Sequence, residues 1–310
     1  MRLLNVATWN IYNGLPYGFS LVSDLKRINK IIDNIETEDL EVLALQELNN
    51  LSVLNCLKNR LEDKYNFFYF KKDLLLPNIF LFVFLFLSYY LVRDVVLLCL
   101  MFLFVNFILR NSTIYNFLME DIKSGLVILV NKRINLDNYK LEYETFNSQK
   151  GDYLNLVAKR GYLKLKIKLN EKSSLIIYNT HLNSTNKECE SRKDQIKELY
   201  NDTKKNEKSD KIIILGDFNT YEYYKEIDIL KTDFQDALEN SDLKSWDLNN
   251  PFTNTLLSSK DNKLKKQGRI DYIFFKNLKK ESSNVIFNSS NNICSDHYGI
   301  KSTFKLKKLK

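Results

Sequence analysis

Six short motifs combine residue types that can bind a hard cation and move a proton. Each places a carboxylate, amide or imidazole next to an apolar run, and we expect each to follow a strand directly, where a sheet edge can present it. In chain order the motifs are TWN (8–10), LQE (45–47), NTHLN (179–183), GDFN (216–219), GRIDY (268–272) and SDH (295–297). The chain has only two histidines, His181 and His297, and both lie in these motifs. One such motif means little, but six together predict one polar site.

The elements that must position these motifs have a mixed α and β pattern. Amphipathic helices are predicted at 21–35 and 189–202. Residues 162–169 alternate apolar side chains with lysines, which predicts a strand with one face toward solvent. Further β-rich runs lie at 3–9, 42–46, 67–70, 125–130, 175–180, 212–216 and 270–275.

Composition bounds the class of protein. An apolar fraction of 45% is enough for a substantial core and argues against disorder. The net charge of +8 favours anionic partners, either nucleic acid or acidic lipid. The absence of any CxxC pair gives no readable thiolate zinc site, so we expect a reducing compartment. The cysteines stand singly at Cys56, Cys99, Cys189 and Cys294.

Residues 74–109 change composition sharply, since they carry only two charges, Arg93 and Asp94. As a helix, each arm beside this pair is shorter than the roughly 30 Å hydrocarbon core of a bilayer. Strands are less favoured, because an open strand pair in lipid leaves backbone groups unpaired. We predict a membrane-associated helical hairpin at 74–110 that interrupts a catalytic domain formed by 1–73 and 111–310. A buried hairpin of a soluble protein is the alternative.

The hairpin follows from the order of the motifs. Glu47 precedes the apolar segment and His181 follows it, so a single crossing would separate them across the membrane. The segment must therefore enter and leave on one face. A glycan at the Asn183 sequon would crowd the site, so we expect a membrane protein whose catalytic domain faces the cytosol. The positive-inside rule agrees with the flanking basic residues Lys71, Lys72, Arg110 and Lys123.

The six motifs, in this order, resemble the endonuclease/exonuclease/phosphatase superfamily. That superfamily includes pancreatic deoxyribonuclease, abasic-site endonucleases, inositol phosphatases and neutral sphingomyelinases. The resemblance implies an α+β fold, a four-layered α/β/β/α sandwich of the deoxyribonuclease type with its site at one end. The apolar helical hairpin would be an insertion in this fold.

The finer signature is most similar to neutral sphingomyelinases. It comprises the strand at 124–130, VAKRGYLKLKI (157–167), SRKDQIKEL (191–199) and SWDLNNP (245–251). Two positions depart from that family, since its Asp and Lys appear here as Asn155 and Arg160. Abasic-site endonucleases and inositol 5-phosphatases carry other residues at 180–183 and 269–272, respectively, which disfavours both.

The resemblance implies a metal site and a catalytic pair. Glu47 is the expected first ligand of Mg²⁺, or of Mn²⁺ in its place, and Asn10 lies adjacent. Asp296 would bind a second cation or order the ligands of the first. His297 is the expected general base, with Asp271 orienting its ring through the other nitrogen.

The remaining motif residues are expected around the phosphate. His181 and Asn219 would donate hydrogen bonds to phosphoryl oxygens. Asn183 would shape the phosphate-binding loop and contribute to it. Asp217 would assist the leaving oxygen or support the metal ion.

Two functions remain open for this metal-dependent phosphodiester hydrolase. The favoured one is a membrane-bound, sphingomyelinase-like phospholipase C that cleaves sphingomyelin or a related phospholipid and releases a phosphorylated headgroup. The alternative is a membrane-tethered DNA or RNA nuclease that uses the same site. A catalytically inactive adaptor is disfavoured, because all six motifs are present. The expected partners are a phospholipid membrane and its lipid, with nucleic acid less favoured and no protein partner predicted.

Overall fold

The computed structural model describes residues 2–12, 21–71, 122–148, 159–184, 189–256 and 267–306. Twelve strands in these ranges form two six-stranded mixed sheets. The first sheet, in the order β11-β12-β1-β2-β4-β3, contains β1 (Arg2–Asn10), β2 (Val42–Gln46), β3 (Tyr65–Phe68), β4 (Val127–Asn131), β11 (Lys279–Ile286) and β12 (Gly299–Leu306). The second, in the order β5-β6-β7-β8-β10-β9, contains β5 (Tyr139–Thr145), β6 (Gly161–Asn170), β7 (Ser173–His181), β8 (Lys211–Asp217), β9 (Gln235–Asp236) and β10 (Asp271–Lys276).

Helices cover the outer faces of the two sheets. The described helices are α1 (Leu21–Thr37), α2 (Leu51–Leu61), α3 (Cys189–Thr203), α4 (Asp228–Lys231) and α5 (Pro251–Leu256). The side chains of α1 and α2 pack on the first sheet, and those of α3 and α4 pack on the second. The strands place alternate residues between the sheets, where one core joins both. These layers confirm the predicted α+β sandwich of the α/β/β/α type.

Local sequence explains the less obvious elements. Helix α2 was not predicted, yet Asn50 caps it by accepting a hydrogen bond from the Ser52 amide at 2.7 Å. Its buried residues Leu54, Leu57 and Leu61 recur at helical spacing. Strands β5, β11 and β12 were also not predicted. Strand β11 is exposed and charged and has no clear alternation, whereas β5 does alternate, with Tyr139, Leu141 and Tyr143 on one face.

Some predicted elements shift or change character. The strand predicted at 67–70 is β3, which begins two residues earlier at Tyr65. The lysine-bearing face of β6, which was predicted to face solvent, is partly buried. Lys164 is buried, with its ammonium 2.9 Å from a carboxylate oxygen of Asp202, because α3 covers this face of the sheet.

The predicted hairpin at 74–110 lies outside the described residues, and so does most of the boundary between the predicted domains. The described residues on either side of the gap lie next to each other. Lys71 pairs with Ile122 in an antiparallel bridge, and the Lys123 amide donates to the Phe70 carbonyl at 2.9 Å. The chain therefore leaves and re-enters the fold at one place. Within the described ranges, no helix is both long and apolar enough to span a bilayer.

Candidate active site

The site forms where core-facing positions of the strands become polar. Along β8, Ile213 and Leu215 point into the core between the sheets, and Asp217 occupies the next position of the same face. On β1 the same alternation runs from Leu4 and Val6 to Asn10. Each strand therefore delivers a polar side chain to one end of the core, where the two sheets meet.

Two motifs reach this end in a different way from the one predicted. Asp271 is the first residue of β10, and His297 lies two residues before β12, so both lie at the amino ends of their strands. The prediction that every motif follows a strand was therefore wrong for these two. Both strands run antiparallel to their neighbours, and the register pairs Asp271 with Asp217 and Ile300 with Thr8. Their amino ends thus lie beside the carboxyl ends of β8 and β1.

His297 and Asp271 form a buried dyad. The ring nitrogen Nδ1 of His297 lies 2.8 Å from Oδ2 of Asp271. The Asp271 amide donates to the Ser245 hydroxyl at 3.1 Å, and the Trp9 indole donates to the His297 carbonyl at 3.0 Å. The Trp246 ring packs edge-on against the imidazole, with a centroid distance of 5.0 Å. The orientation of His297 is therefore held from several sides.

The second nitrogen of His297 faces another carboxylate. Nε2 lies 3.8 Å from Oδ2 of Asp217. Burial raises the pKa of Asp217 to about 7, with a further contribution from Asp271. Burial lowers the pKa of His297, but the carboxylates of Asp271 and Asp217 outweigh it and raise that pKa well above its usual value. When no cation balances their negative charge, Asp271 and Asp217 therefore favour the protonated form of His297.

His181 stands on the other side of Asp217. Its Nε2 lies 3.3 Å from Oδ2 of Asp217, and its Nδ1 lies 2.8 Å from Nη1 of Arg160. Burial lowers the pKa of His181 well below its usual value, and the charges of Arg160 and His297 add to this effect. The two histidines therefore differ, since the pKa of His181 is shifted down and the pKa of His297 is shifted up.

Asn10 joins Glu47 to Asp217. Its Nδ2 donates to Oε1 of Glu47 at 3.1 Å and to Oδ2 of Asp217 at 3.0 Å. Glu47 is half-buried and adopts a left-handed backbone conformation, with φ of 61°. Gly125 packs against it so closely that an added Cβ would lie 3.1 Å from the Glu47 Cα and 2.1 Å from Oδ1 of Asn49. Only glycine fits beside this turn.

Asp296 lies beside the same group of carboxylates. Burial raises its pKa to about 7, and the charge of Glu47 contributes to the rise. The Ser295 hydroxyl lies 3.3 Å from Oδ1 of Asp296, and Asn250 donates to its carbonyl at 3.1 Å. The sequence prediction brought Glu47, Asn10 and Asp296 together, and the structure places them at one end of the core.

The two predicted phosphate-binding asparagines have different surroundings. The Asn219 amide nitrogen donates to Asp217 Oδ1 at 2.9 Å, and its side chain donates to the Leu182 carbonyl at 2.9 Å. Asn183 is fully buried, with its side-chain amide bonded to Ser191 at 3.2 Å and to Gln195 at 2.9 Å. These contacts fit the predicted role of Asn183 in shaping its loop. Direct contact of either residue with phosphate stays a prediction.

The acidic end of the core fits a divalent cation. Within the described part of the chain, Oδ1 of Asp271 is buried without a hydrogen-bond partner. Asp217, Asp271 and His297 offer ligand atoms within 4.8 Å of one another and could hold a metal ion. Glu47, with Asn10 beside it and Asp296 near it, supplies further oxygen ligands of the kind that Mg²⁺ prefers.

This arrangement can hydrolyse a phosphodiester. A bound Mg²⁺ would supply positive charge to the phosphoryl oxygens and the leaving oxygen. With the charges of Asp217 and Asp296 balanced, the pKa of His297 would fall toward the range in which a general base works. His297 would accept a proton from water at Nε2 while Asp271 holds Nδ1. His181 lies on the other side of Asp217, where its Nε2 would face a bound phosphate, and Asn10 links Asp217 to Glu47.

Several residues that support the site were not given a role from sequence. Gln46 Nε2 donates to Oδ1 of Asn179 at 2.7 Å, and Asn179 donates to the Leu45 carbonyl at 2.9 Å. These bonds join the two sheets beneath the site. Ser245 and Trp246 lie in the SWDLNNP segment, which was noted only as a resemblance. Their contacts span long distances along the chain, so no local pattern could reveal them.

Known structures share this fold. D. rerio TDP2, solved with a single-strand DNA product, is 17% identical with a TM-score of 0.62 over 98% of this chain and 99% of that chain. Beta toxin from Staphylococcus aureus is also 17% identical, with a TM-score of 0.62 over 96% of this chain and 99% of that one. An endonuclease/exonuclease/phosphatase family protein from Leptotrichia buccalis is 20% identical, with a TM-score of 0.60 over 98% and 100%.

The sequence comparisons gave one family. A search of curated protein sequences found no match. The profile of the Endonuclease/Exonuclease/phosphatase family matches residues 7–297, which includes all six motifs and nearly the whole chain. The chain therefore belongs to the endonuclease/exonuclease/phosphatase family, as a metal-dependent phosphodiesterase.

Proposed function

We propose that the chain is a neutral sphingomyelinase-like phospholipase C that hydrolyses sphingomyelin or a related phospholipid and releases the phosphorylated headgroup. One observation carries this proposal. Three of the four segments that resemble neutral sphingomyelinases, those at 157–167, 191–199 and 245–251, each have a described residue that contacts the site. Part of the resemblance therefore lies in residues that shape the catalytic centre, while other residues of the same segments, such as Leu163 and Leu199, pack in the core.

The contacts are specific in each case. From the first segment, Arg160 reaches His181 at 2.8 Å. From the second, Gln195 Nε2 donates to Oδ1 of Asn183 at 2.9 Å. From the third, the Trp246 ring packs on His297 at 5.0 Å. Arg160, Gln195 and Trp246 therefore hold both histidines and the loop that contains Asn183. We expect residues that support a site in this way to be shared by enzymes that act on the same class of substrate.

The substrate assay decides the proposal. Purified full-length protein with Mg²⁺ is expected to release phosphorylated headgroup from sphingomyelin vesicles, with less or no release from lysophospholipid and no nicking of plasmid DNA. The same reactions with excess EDTA serve as the control, because a metal-dependent enzyme stops in all of them. Plasmid cleavage with intact sphingomyelin would overturn the proposal.

A nuclease is the second candidate, and one feature near the site favours it. Tyr221 and Tyr223 stack with a centroid distance of 5.3 Å, and Tyr223 is 55% exposed. A Cβ added at Gly268, in the GRIDY motif, would lie 3.0 Å from Cδ1 of Tyr221, so this pair lies close to the site. Exposed aromatic rings and a net charge of +8 suit single-stranded nucleic acid. The DNA arm of the assay tests this directly.

We also propose that residues 74–110 attach the enzyme to a phospholipid membrane as a hairpin, with the catalytic domain on the cytosolic side. The bridge between Lys71 and Ile122 supports this, because both ends of the segment then meet one face of the domain. The returning chain runs at once into the turn beside Glu47, where the Leu48 amide donates to the Gly125 carbonyl at 3.0 Å. A hairpin that leaves and re-enters the domain here would bring the active site to the lipid surface.

Replacing 74–110 with a short Gly/Ser linker is expected to release the protein into the soluble fraction. Lys71 and Ile122, the nearest described residues on either side, pair directly, so a short linker should suffice and hydrolysis of detergent-dispersed sphingomyelin should persist. Flotation with phospholipid vesicles measures attachment, and a cooperative thermal transition of the excised protein confirms that it is folded. Continued vesicle binding of the folded, excised protein would show that another surface is the anchor.

A further inference from the structure

We propose that Arg160 is a positioning residue that holds His181 as a single neutral tautomer, with its proton on Nε2. The two groups belong to the site described above, but the proposal does not depend on which phosphodiester is cleaved. It assigns a role to the arginine that stands where similar sphingomyelinases carry lysine.

The direction of one hydrogen bond carries the argument. Nη1 of Arg160 lies 2.8 Å from Nδ1 of His181. A guanidinium has only donors and stays protonated in proteins, so Nδ1 must accept. A neutral imidazole that accepts at Nδ1 carries its proton on Nε2. The tautomer of His181 is therefore set by the arginine.

The other nitrogen points into the site. Nε2 of His181 lies 3.3 Å from Oδ2 of Asp217, an acceptor that matches an N–H donor. A phosphoryl oxygen beside Asp217 would meet the same donor. The opposite tautomer would turn a lone pair toward these anions, which is repulsive. Arg160 thus keeps a donor aimed at the place where negative charge develops.

The backbone around Arg160 is held on both sides. The carbonyl of Lys159 accepts from the Ser124 hydroxyl at 2.6 Å, and the carbonyl of Arg160 accepts from the Phe146 amide at 3.0 Å. At Gly161 an added Cβ would lie 2.3 Å from the Glu144 carbonyl oxygen, so the chain runs tightly against β5. The guanidinium therefore reaches His181 from a fixed support, as a preorganised site requires.

Nitrogen NMR of the full-length protein, labelled in its histidines, tests the tautomer without any substrate. The chain has only two histidines, and His181→Gln assigns the signals by removing one set. We expect His181 to show a protonated Nε2 and an unprotonated Nδ1. In Arg160→Met the His181 signals should move toward a mixture of tautomers, while Arg160→Lys, which keeps a donor, should retain the native pattern.

Kinetics and a matched control complete the test. With bis(p-nitrophenyl) phosphate as the probe, kcat of Arg160→Met should fall about 10–100-fold, the usual cost of losing a group that orients a catalytic residue. Arg160→Lys should recover most of this loss. Arg133→Met, which removes a half-exposed arginine paired with Asp39 and Glu41, should change neither the spectrum nor kcat. A native spectrum with a proton on Nδ1, or Arg160→Met with native His181 signals, would overturn the proposal. The native spectrum decides even if that variant fails to fold.

Discussion

Glu47→Gln is expected to abolish turnover while leaving the fold intact. Glutamine has the same shape, and its carbonyl oxygen can still accept the hydrogen bond that Asn10 donates to Glu47 at 3.1 Å. What is lost is an anionic ligand to a hard cation, and cation-derived stabilisation of several kcal/mol corresponds to a loss of about 10³-fold or more. The free energy of unfolding should change by less than about 1 kcal/mol, as for most substitutions that keep shape and hydrogen bonds.

Initial rates on sphingomyelin and on bis(p-nitrophenyl) phosphate, with Mg²⁺ and with excess EDTA, measure this effect. The matched control is Glu62→Gln, which removes an exposed carboxylate at the end of α2 and should behave as the native protein. Full activity of Glu47→Gln, or of the native protein in EDTA, would end the metal hypothesis.

Thermal unfolding gives a second measure of the same cation. The pKa values of Asp217 and Asp296 are raised from 3.8 to about 7, so the folded protein binds these protons more tightly than the unfolded chain. The stability they contribute is present below pH 3.8 and is lost as pH rises through about 7. Mg²⁺ requires the ionised carboxylates, so the rise in Tm that it causes should be larger at pH 8 than at pH 6. Glu47→Gln should reduce that rise at both values.

The sequence could predict the site because its residues obey the strand period. Asp217 continues the alternation of Ile213 and Leu215, so a polar side chain at a core position marks the end of the sandwich. The order of the motifs then identified the family of folds. Strand direction could not be predicted in the same way. The run predicted at 270–275 places Asp271 near its start, but the antiparallel pairing with β8 that brings this start to the site is not encoded by any local pattern.

Contacts between distant segments also lay beyond the sequence. Arg160 was visible only as a departure from a family pattern, because nothing local shows that its guanidinium reaches His181. Edge strand β11 was missed for a related reason. Its exposed, charged residues lack the alternation that burial on one face imposes on strands inside a sheet. A buried face that alternates as in β8 is therefore readable from sequence, and the partners of polar side chains are not.

The second large effect on kcat is expected from substitutions in the His297–Asp271 dyad. His297→Ala removes the group that accepts a proton from water, and should lower kcat about 10²–10⁴-fold. Asp271→Asn should cost a similar amount, because an amide cannot replace the carboxylate that lies 2.8 Å from Nδ1 of His297. An asparagine NH₂ in that position would donate to Nδ1 and shift the imidazole proton to Nε2, where a base must be free to accept.

The double variant separates a working unit from two independent residues. If Asp271 acts only by orienting and charging His297, its substitution should cost little once the imidazole is absent, and the double variant should be about as slow as His297→Ala. The kcat values of the native protein, both single variants and the double variant form the cycle. Asp63→Asn, an exposed carboxylate after α2, controls for the loss of charge. If the two losses multiplied fully, Asp271 would act on the substrate or on the cation instead, and its unpartnered Oδ1 would then be the atom that does so.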